Sequence, residues 1–248
     1  MSQRAPGPDL AAAPAAPPAA RRLLALRARL YPLIRWLRRR PLAVRWLFGV
    51  RLPPGTVADY DTTTLALRRS LARRGRGARS VLEVGIGQAA LLAAFVARRF
   101  GVAVDGVDVS TQRVEGSRRV AALNRLPVRV WRSDLFSAVE GRYDLIFSNP
   151  PYVPTAAGRA LDLTAAAGFD GDQVWDGGAD GTEVLARLLA GAPARLAPSG
   201  RLLVGVQEHY VTDDAMRRLA GAAGLEVVSR EQPALSPSVI WVLRPGAA

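Results

Sequence analysis

The stretch SVLEVGIGQA, residues 80–89, decides the fold of this 248-residue chain. Its apolar residues, interrupted only by Glu83, indicate a buried strand that runs directly into a turn with glycine at positions 85 and 87. Gly85 permits a tight turn, and Gly87 permits a ligand to approach the backbone closely. Because glycine also serves turns for geometry alone, the strands that follow decide whether this turn binds a ligand.

Strands and helices alternate from residue 79 to the end of the chain. The other strand candidates are VAVDGVDVS, VRVWRSD, YDLIFSN, GRLLVGVQ, LEVVSRE and VIWVLRP, and helical stretches cover residues 88–99, 111–124, 182–196 and 213–223. This alternation predicts an α/β fold with a mostly parallel seven-stranded sheet and helices on both faces. Ligands of such sheets bind outside the carboxyl ends of the strands, which is where the glycine turn lies.

Carboxylates follow the next two strands. Asp108 ends the second strand at about the spacing from Gly87, roughly 20 residues, at which an acidic side chain accepts hydrogen bonds from ribose hydroxyls. Its alternative role is to cap the next helix, which Ser110 could also do. Asp134 follows the third strand and could accept a hydrogen bond from an adenine amino group. Since the chain has neither lysine nor a phosphate-loop pattern, these residues favour adenosine without a pyrophosphate.

Composition narrows the chemistry further. The chain has no cysteine and only one histidine, His209, which excludes disulfides, thiolate nucleophiles and imidazole clusters, so we expect no metal site. All 34 basic residues are arginine, and the formal net charge is +13. This charge favours an acidic partner such as RNA, the ribosome, DNA or an anionic membrane surface, through attraction that weakens with salt, and a solvated basic surface without a partner stays the alternative.

Three regions differ in composition. Residues 1–20 are mostly alanine and proline and predict a disordered tail. Residues 21–55 form an arginine-rich helical arm, for which packing on the domain, docking to RNA or protein, and lying in a membrane interface all stay open. Residues 56–248 form the predicted catalytic domain. The sequence has neither a transmembrane segment nor a signal peptide, so we expect a cytoplasmic protein, and we expect a monomer.

These features resemble the class I S-adenosylmethionine-dependent methyltransferases, which have a Rossmann-like fold, and the resemblance covers roughly residues 56–244. It implies S-adenosyl-L-methionine as the cofactor. The residues that it places around the cofactor are Glu83, Gly85 and Gly87 along the methionine part, Asp108 on the ribose, and Asp134 near the adenine.

The sequence NPPY, residues 149–152, matches the members of this family that methylate a planar nitrogen, either a nucleobase amine or a glutamine side-chain amide. Such a nitrogen shares its lone pair with a π-system and attacks poorly unless it is held and polarised. The side-chain oxygen of Asn149, next to the cofactor, and the carbonyl oxygen of Pro150 can each accept one N–H bond. Tyr152 can stack on the planar group.

Two further segments resemble the release-factor glutamine methyltransferases, the HemK family. They are VWDGGADGTEVLARLL, residues 174–189, and DYDTTTLAL, in which the resemblance places Asp61 and Thr62 near the cofactor. The implied substrate is a glutamine side-chain amide of a release factor or a ribosome-associated protein. An amino group of RNA or DNA, a small-molecule natural product, and a cofactor-sensing module without turnover remain alternatives. For the acidic residues around the DGG turn, we favour a solvated lid over a cation site.

Overall fold

The computed structural model describes residues 40–54, 56, 58, 60–163, 168–234 and 236–246. The predicted tail over residues 1–20 and the first part of the predicted arm, residues 21–39, lie outside the described residues. Among the helices that the structure does describe, none combines the length and the apolar character needed to cross a membrane.

Seven strands are found in the described residues, and all of them join one sheet. They are β1 (Val81–Val84), β2 (Val104–Asp108), β3 (Val128–Arg132), β4 (Tyr143–Ser148), β5 (Leu196–Gln207), β6 (Leu225–Glu231) and β7 (Ser238–Pro245). Their order in the sheet is β3-β2-β1-β4-β5-β7-β6. The pairs among β1 to β5 are parallel, and β7 pairs antiparallel with both β5 and β6. The predicted mostly parallel seven-stranded sheet is confirmed.

The helices cover both faces of this sheet, as predicted. They are α1 (Pro41–Phe48), α2 (Thr62–Arg74), α3 (Leu91–Phe100), α4 (Thr111–Leu123), α5 (Thr155–Ala160), α6 (Glu183–Arg195) and α7 (Asp213–Ala222), with a 3-10 stretch at Gly168–Val174. Helices α1 to α4 supply side chains to one buried cluster, and α6 and α7 supply side chains to another. Strand β4 alternates between the two, because Leu145 and Phe147 face the first cluster and Ile146 faces the second.

The register of the central strands brings the loops together at one edge. Val84, the last residue of β1, pairs with Val107 of β2 on one side and with Ser148 of β4 on the other. The residues that follow these three, Gly85, Asp108 and Asn149, therefore leave the sheet side by side. The strand order reverses at this point, which is where open α/β sheets bind their ligands.

Helix α1 belongs to the part of the predicted arm that the structure describes. Its Val44 and Phe48 are buried in the cluster formed by α1 to α4, and α1 contacts α3 directly. This segment therefore packs on the domain, one of the three roles left open for the arm. The predicted domain boundary at residue 56 stays a prediction.

Candidate active site

The glycine turn after β1 leaves an open space at the carboxyl edge of the sheet. Gly85 and Gly87 have φ of +76° and +65°, a region that favours glycine over residues with a Cβ atom. The N–H groups of Gly85 and Ile86 donate to the Val107 carbonyl at 2.8 and 3.0 Å, which ties the turn to β2. A Cβ atom added at either glycine would meet no atom within 4 Å. The turn is therefore rigidly held, and the space beside it can admit a ligand.

Asp108 braces this turn from the neighbouring strand. Its Oδ2 accepts from the Gly87 N–H at 3.0 Å, and its Oδ1 accepts from the Ser110 N–H at the same distance. The Arg113 guanidinium lies 3.6 Å from Oδ1 and balances the buried charge. Ser110 itself caps α4 by accepting from the Arg113 N–H. Each carboxylate oxygen can accept more than one hydrogen bond, so the contact with a ribose stays a prediction that this geometry permits.

Glu83 of β1 accepts a hydrogen bond from the first turn of α3. Its Oε2 accepts from the Ala93 N–H at 2.8 Å, and Ala90, which precedes the helix, offers no side-chain cap. Burial raises the pKa of Glu83 well above its ordinary value, the Ala93 hydrogen bond acts in the opposite direction, and the charge of Asp108 raises it further. Its predicted contact with the methionine part of the cofactor stays a prediction.

Asp134 lies in the turn after β3, and its side chain is half exposed. Its Oδ2 accepts from the Arg187 guanidinium at 2.5 Å, so an ion pair connects the turn after β3 with α6. The predicted contact of Asp134 with adenine stays a prediction.

Asn149 presents its side-chain oxygen in a fixed direction. Its Nδ2 donates to Asp61 Oδ1 at 3.4 Å and to Thr64 Oγ1 at 3.3 Å, both at the start of α2. Because the nitrogen is held on that side, the oxygen has to face the other way. That oxygen, Oδ1, is buried and accepts no hydrogen bond from any residue that the structure describes. A buried amide oxygen without a donor is costly, about 1–3 kcal/mol, so it marks a place for a donor.

Tyr152 points its hydroxyl into the same network. The hydroxyl lies 2.9 Å from Thr63 Oγ1 and donates to Asp61 Oδ2 at 3.3 Å. Burial, and next the charge of Asp61, raise the pKa of this phenol well above its ordinary value, so Tyr152 is neutral. In this position the phenol supports Asp61, and stacking of its ring on a substrate group stays a prediction.

Asp61 connects these side chains to the start of α2. As the N-cap residue, it accepts from the Thr64 N–H and hydroxyl at 2.8 and 2.9 Å through Oδ1, the oxygen that also faces Asn149. Its Oδ2 faces Tyr152. One carboxylate therefore holds a helix start, the Asn149 amide and the Tyr152 phenol in one arrangement.

Thr63 and Ser238 complete the network and were missed by reasoning from sequence. Ser238 Oγ lies 3.0 Å from Thr63 Oγ1 and donates to Thr62 Oγ1 at 2.9 Å. The predicted position of Thr62 near the cofactor stays a prediction. Ser238 begins β7 and pairs with Gln207 at the end of β5. A serine at a strand start carries no local signal, and only the antiparallel pairing brings it here.

The DGG segment, residues 174–189, packs against the NPPY loop. The Val153 N–H donates to the Trp175 carbonyl at 2.9 Å, and the Gly177 N–H donates back to the Val153 carbonyl at 2.9 Å. A Cβ atom at Gly177 would lie 2.8 Å from Tyr152 Cα, and one at Gly181 would lie 2.5 Å from the Tyr152 carbonyl oxygen. The prediction of a solvated lid is wrong for residues 175–177, because Trp175 and Gly177 are buried against the loop.

Asp176 of this segment forms hydrogen bonds with other residues of the protein. Asp176 Oδ1 accepts from the Thr155 hydroxyl at 2.7 Å and from the Gly178 N–H at 2.9 Å. Across the described ranges, no group of three or more His, Cys, Asp or Glu side chains is arranged to hold a metal ion.

Comparison with known proteins agrees with this geometry. Residues 56–168 match a family model of the methyltransferase small domain. A release factor glutamine methyltransferase of Xylella fastidiosa is 32% identical over 230 residues, which cover 90% of this chain and 80% of that protein. The chain belongs to this glutamine methyltransferase family. The resemblance to methyltransferases that was drawn from the NPPY loop and the glycine turn is therefore confirmed.

Other relatives in the glutamine methyltransferase family are longer than this chain. The release factor glutamine methyltransferase of Rhodospirillum rubrum is 37% identical over 177 residues, which cover 68% of this chain and 53% of that protein. A ribosomal protein uL3 glutamine methyltransferase of Bradyrhizobium diazoefficiens is 38% identical over 143 residues, which cover 56% of this chain and 43% of that protein. The chain thus spans about half the length of these two relatives.

Solved structures show the same fold at lower identity. A methyltransferase from Pyrococcus furiosus has a TM-score of 0.60 and 21% identity, covering 86% of this chain and 97% of its own. A 16S rRNA methyltransferase of Thermus thermophilus, solved in complex with AdoMet and guanosine, has a TM-score of 0.52 and 21% identity, covering 77% of this chain and 44% of its own. Both confirm the Rossmann-like fold of this glutamine methyltransferase family member.

Proposed function

We propose that this protein transfers a methyl group from S-adenosyl-L-methionine to the side-chain amide of a glutamine in another protein. The observation that carries the proposal is the Asn149 Oδ1 atom, which is buried and has no hydrogen-bond donor among the described residues, while Asp61 and Thr64 hold the nitrogen of the same amide. An incoming N–H group would satisfy this oxygen.

The residues of the carboxyl edge fit the proposed cofactor. S-adenosylmethionine, when bound, supplies an activated methyl group on a positively charged sulfonium. The open space at Gly85 and Gly87 suits a ligand that approaches the backbone, and Asp108 and Asp134 carry the acceptor oxygens that ribose and adenine need. Glu83 lies on β1, which leads into the turn, and Thr62 begins α2. The set contains no phosphate-binding lysine, in keeping with an adenosine that lacks a pyrophosphate.

The NPPY loop holds and orients the substrate amide nitrogen, which attacks poorly by itself. Asn149 Oδ1 and the Pro150 carbonyl oxygen each accept one N–H bond from the substrate amide, which localises the nitrogen lone pair and orients it. Because Pro150 and Pro151 restrict φ, the loop loses little entropy when it presents these acceptors. Tyr152 stays neutral and keeps Asp61 in place behind Asn149.

The names of the relatives support a protein substrate of the translation machinery. One is named for a release factor and another for ribosomal protein uL3, and both names specify glutamine. We infer that the substrate of this chain is a glutamine of a release factor or a ribosome-associated protein, which would place the reaction in the cytoplasm. Methylation of a nucleobase amine is the competing outcome of the test below.

The test measures where the methyl group goes. Purified release factor, ribosomal protein uL3 and bulk RNA are each incubated with the enzyme and S-adenosylmethionine carrying a labelled methyl group. We expect label in one of the two proteins, located by mass spectrometry on a single glutamine. Label in RNA alone would contradict the proposed substrate class.

Two variants connect this activity to the loop. Asn149→Ala removes the acceptor, and we expect a loss of roughly 10²–10³ in kcat, the size known for removal of one preorganised hydrogen-bonding group from an active site. Gln112→Ala removes an amide at an exposed position of α4 and serves as the matched control, with unchanged activity expected. Equal activity of Asn149→Ala and the wild type would contradict the role of the loop.

A further inference from the structure

The two faces of the sheet carry very different charge. Helices α1 to α4 contain ten arginines and one acidic residue, Glu115, a net charge of +9. Helices α6 and α7, on the other face, contain four arginines and three acidic residues, a net charge of +1. Most of the helical positive charge is therefore gathered on one side of the molecule.

Much of this charge is exposed and has no carboxylate nearby. Arg73 and Arg74 of α2 share Glu231, and Arg113 of α4 lies beside Asp108. Among the exposed arginines for which the described residues provide no ion pair are Arg45, Arg51, Arg69, Arg98, Arg99 and Arg119. These six side chains, together with Trp46, are called the basic face below.

Two arginines of this side, Arg68 and Arg99, lie close enough to affect one another. Arg68 of α2 donates its Nε–H to the Leu47 carbonyl of α1 at 2.6 Å and lies 4.5 Å over the Phe95 ring of α3. Burial, and then the positive charge of Arg99, lower the pKa of the Arg68 guanidinium. The protein thus holds like charges of α2 and α3 close together, and an anionic partner would relieve their repulsion.

The basic face lies away from the NPPY loop. Helix α3 starts at the carboxyl edge of the sheet, beside the glycine turn, and ends at the opposite edge, where Arg98 and Arg99 occupy its last turn. Arg51 is also at that edge, because its backbone N–H and carbonyl bond the side chain of Asn124 at the end of α4. A partner bound there would not present its own groups to Asn149.

An exposed indole lies next to Arg45 on α1. Trp46 and Leu42 occupy one side of α1 and are 83% and 77% exposed, whereas Val44 and Phe48 on the other side are buried. A flat aromatic ring beside arginines is the combination that binds single-stranded RNA, since the ring stacks on an unpaired base while the guanidinium groups contact phosphates. A bilayer surface would require a broader apolar side than these two residues provide.

We propose that the basic face docks single-stranded RNA, with the exposed arginines on phosphates and Trp46 stacked on a base. The RNA is a docking partner, since it binds at the edge of the sheet that is remote from Asn149. This inference does not depend on the proposed methylation of glutamine.

The test compares two adjacent arginine pairs on opposite faces of the sheet. Arg98→Gln/Arg99→Gln removes two charges from the basic face, and Arg217→Gln/Arg218→Gln removes two exposed charges from α7. Binding of the full-length proteins to a fluorescent oligouridylate is measured by anisotropy over a series of salt concentrations. Each phosphate contact on a single strand contributes about 0.7 to the slope of log Kd against log salt, so the first variant should have a slope shallower by about 1.4. The second should keep the wild-type slope.

A third variant tests the indole. Trp46→Ala is expected to weaken oligouridylate binding roughly tenfold, the size of one base stack, with an unchanged salt slope. Arginines in the last turn also interact with the helix dipole, so thermal unfolding of each variant shows whether a loss of binding comes from a loss of folding.

Several outcomes would overturn the proposal. They are equal losses in the two arginine variants, unchanged binding in Arg98→Gln/Arg99→Gln, and tighter binding to duplex DNA or to vesicles of anionic phospholipid than to the oligouridylate. Methyl transfer to a purified protein substrate is measured in parallel and should be unaffected by Arg98→Gln/Arg99→Gln. A failure of RNA binding is therefore distinguishable from a failure of the proposed catalytic function.

Discussion

At the scale of single residues, Asp61 is the side chain on which the arrangement of the loop depends. Its two oxygens face different partners, Asn149 and Thr64 on one side and Tyr152 on the other. A carboxylate can only accept hydrogen bonds, so it forces the Asn149 amide to turn its nitrogen toward Asp61 and its oxygen away from it. A side chain that can also donate would allow the opposite orientation.

We therefore expect Asp61→Asn to lower kcat by roughly 10²-fold, the order of loss that misplacement of a catalytic group causes, with a smaller change in KM. The matched control is Asp144→Asn, which also removes a carboxylate that accepts backbone N–H bonds, from Arg79 and Ser80, but at the opposite edge of the sheet. Steady-state kinetics on both variants check this. A loss of kcat no larger than that of Asp144→Asn would disprove the positioning role.

Glu83 predicts a dependence of stability on pH. Its pKa is raised in the folded protein, chiefly by burial, whereas the glutamate of an unfolded chain titrates near about pH 4.3. The folded state therefore binds the proton more tightly, and this contribution to stability is complete below about pH 4.3 and is lost as the pH rises toward the folded pKa.

Glu83→Gln keeps an acceptor for the Ala93 N–H and cannot ionise. We expect the free energy of unfolding of the wild type, relative to this variant, to decrease as the pH rises from about 4.3 toward neutral. Urea unfolding at a series of pH values measures the difference, and other titrating groups cancel in it. A difference that does not vary with pH would contradict the raised pKa.

At the scale of elements, the turn between β1 and α3 combines two functions in one piece of backbone. It has to reverse the chain sharply, and it has to leave the space beside it empty. The positive φ of Gly85 and Gly87 meets the first need, and the missing side chains meet the second. The brace from Asp108 holds the turn rigid, so that a ligand would not have to order it.

Gly101 makes it possible to separate these two functions. It ends α3 with φ of +67°, close to the +65° of Gly87, and a Cβ atom at either position would meet no atom within 4 Å. Gly87→Ala and Gly101→Ala should each destabilise the protein by about 1–2 kcal/mol through backbone strain. Only Gly87→Ala places a methyl group in the proposed cofactor space, so calorimetry should show weaker S-adenosylmethionine binding for that variant alone. Equal affinities in the two variants would exclude the turn as the cofactor site.

At the scale of the whole molecule, the sheet separates the proposed site residues from most of the helical arginines. Its carboxyl edge gathers the glycine turn, Asp108 and Asn149, while the helices of one face collect the arginines. Helix α1 contributes to both the core and the basic face, since its buried side packs in the core and its exposed side carries Trp46. The proposed catalytic site and the proposed docking surface therefore lie on different parts of the molecule.

Most of the architecture could be predicted from the sequence because it rests on local patterns. Short apolar runs, helical stretches between them and a glycine turn after the first strand are enough to predict seven strands, the helices α3, α4, α6 and α7, and the edge at which Gly85, Asp108 and Asn149 emerge, but they do not predict α2 or α5. Asn149 could be singled out because two prolines directly follow it and end the strand.

What the sequence alone determined, then, is which residues reach the carboxyl edge, since strand direction and strand ends are local properties. Their orientation, in contrast, depends on how distant segments of the chain pack together. The Asn149 amide is turned by Asp61 and Thr64, which lie 88 and 85 residues away, and Tyr152 meets Thr63 across 89 residues. The arginines likewise form one face only after the helices are assigned to sides of the sheet. Such contacts depend on packing between distant segments, and no local pattern encodes them.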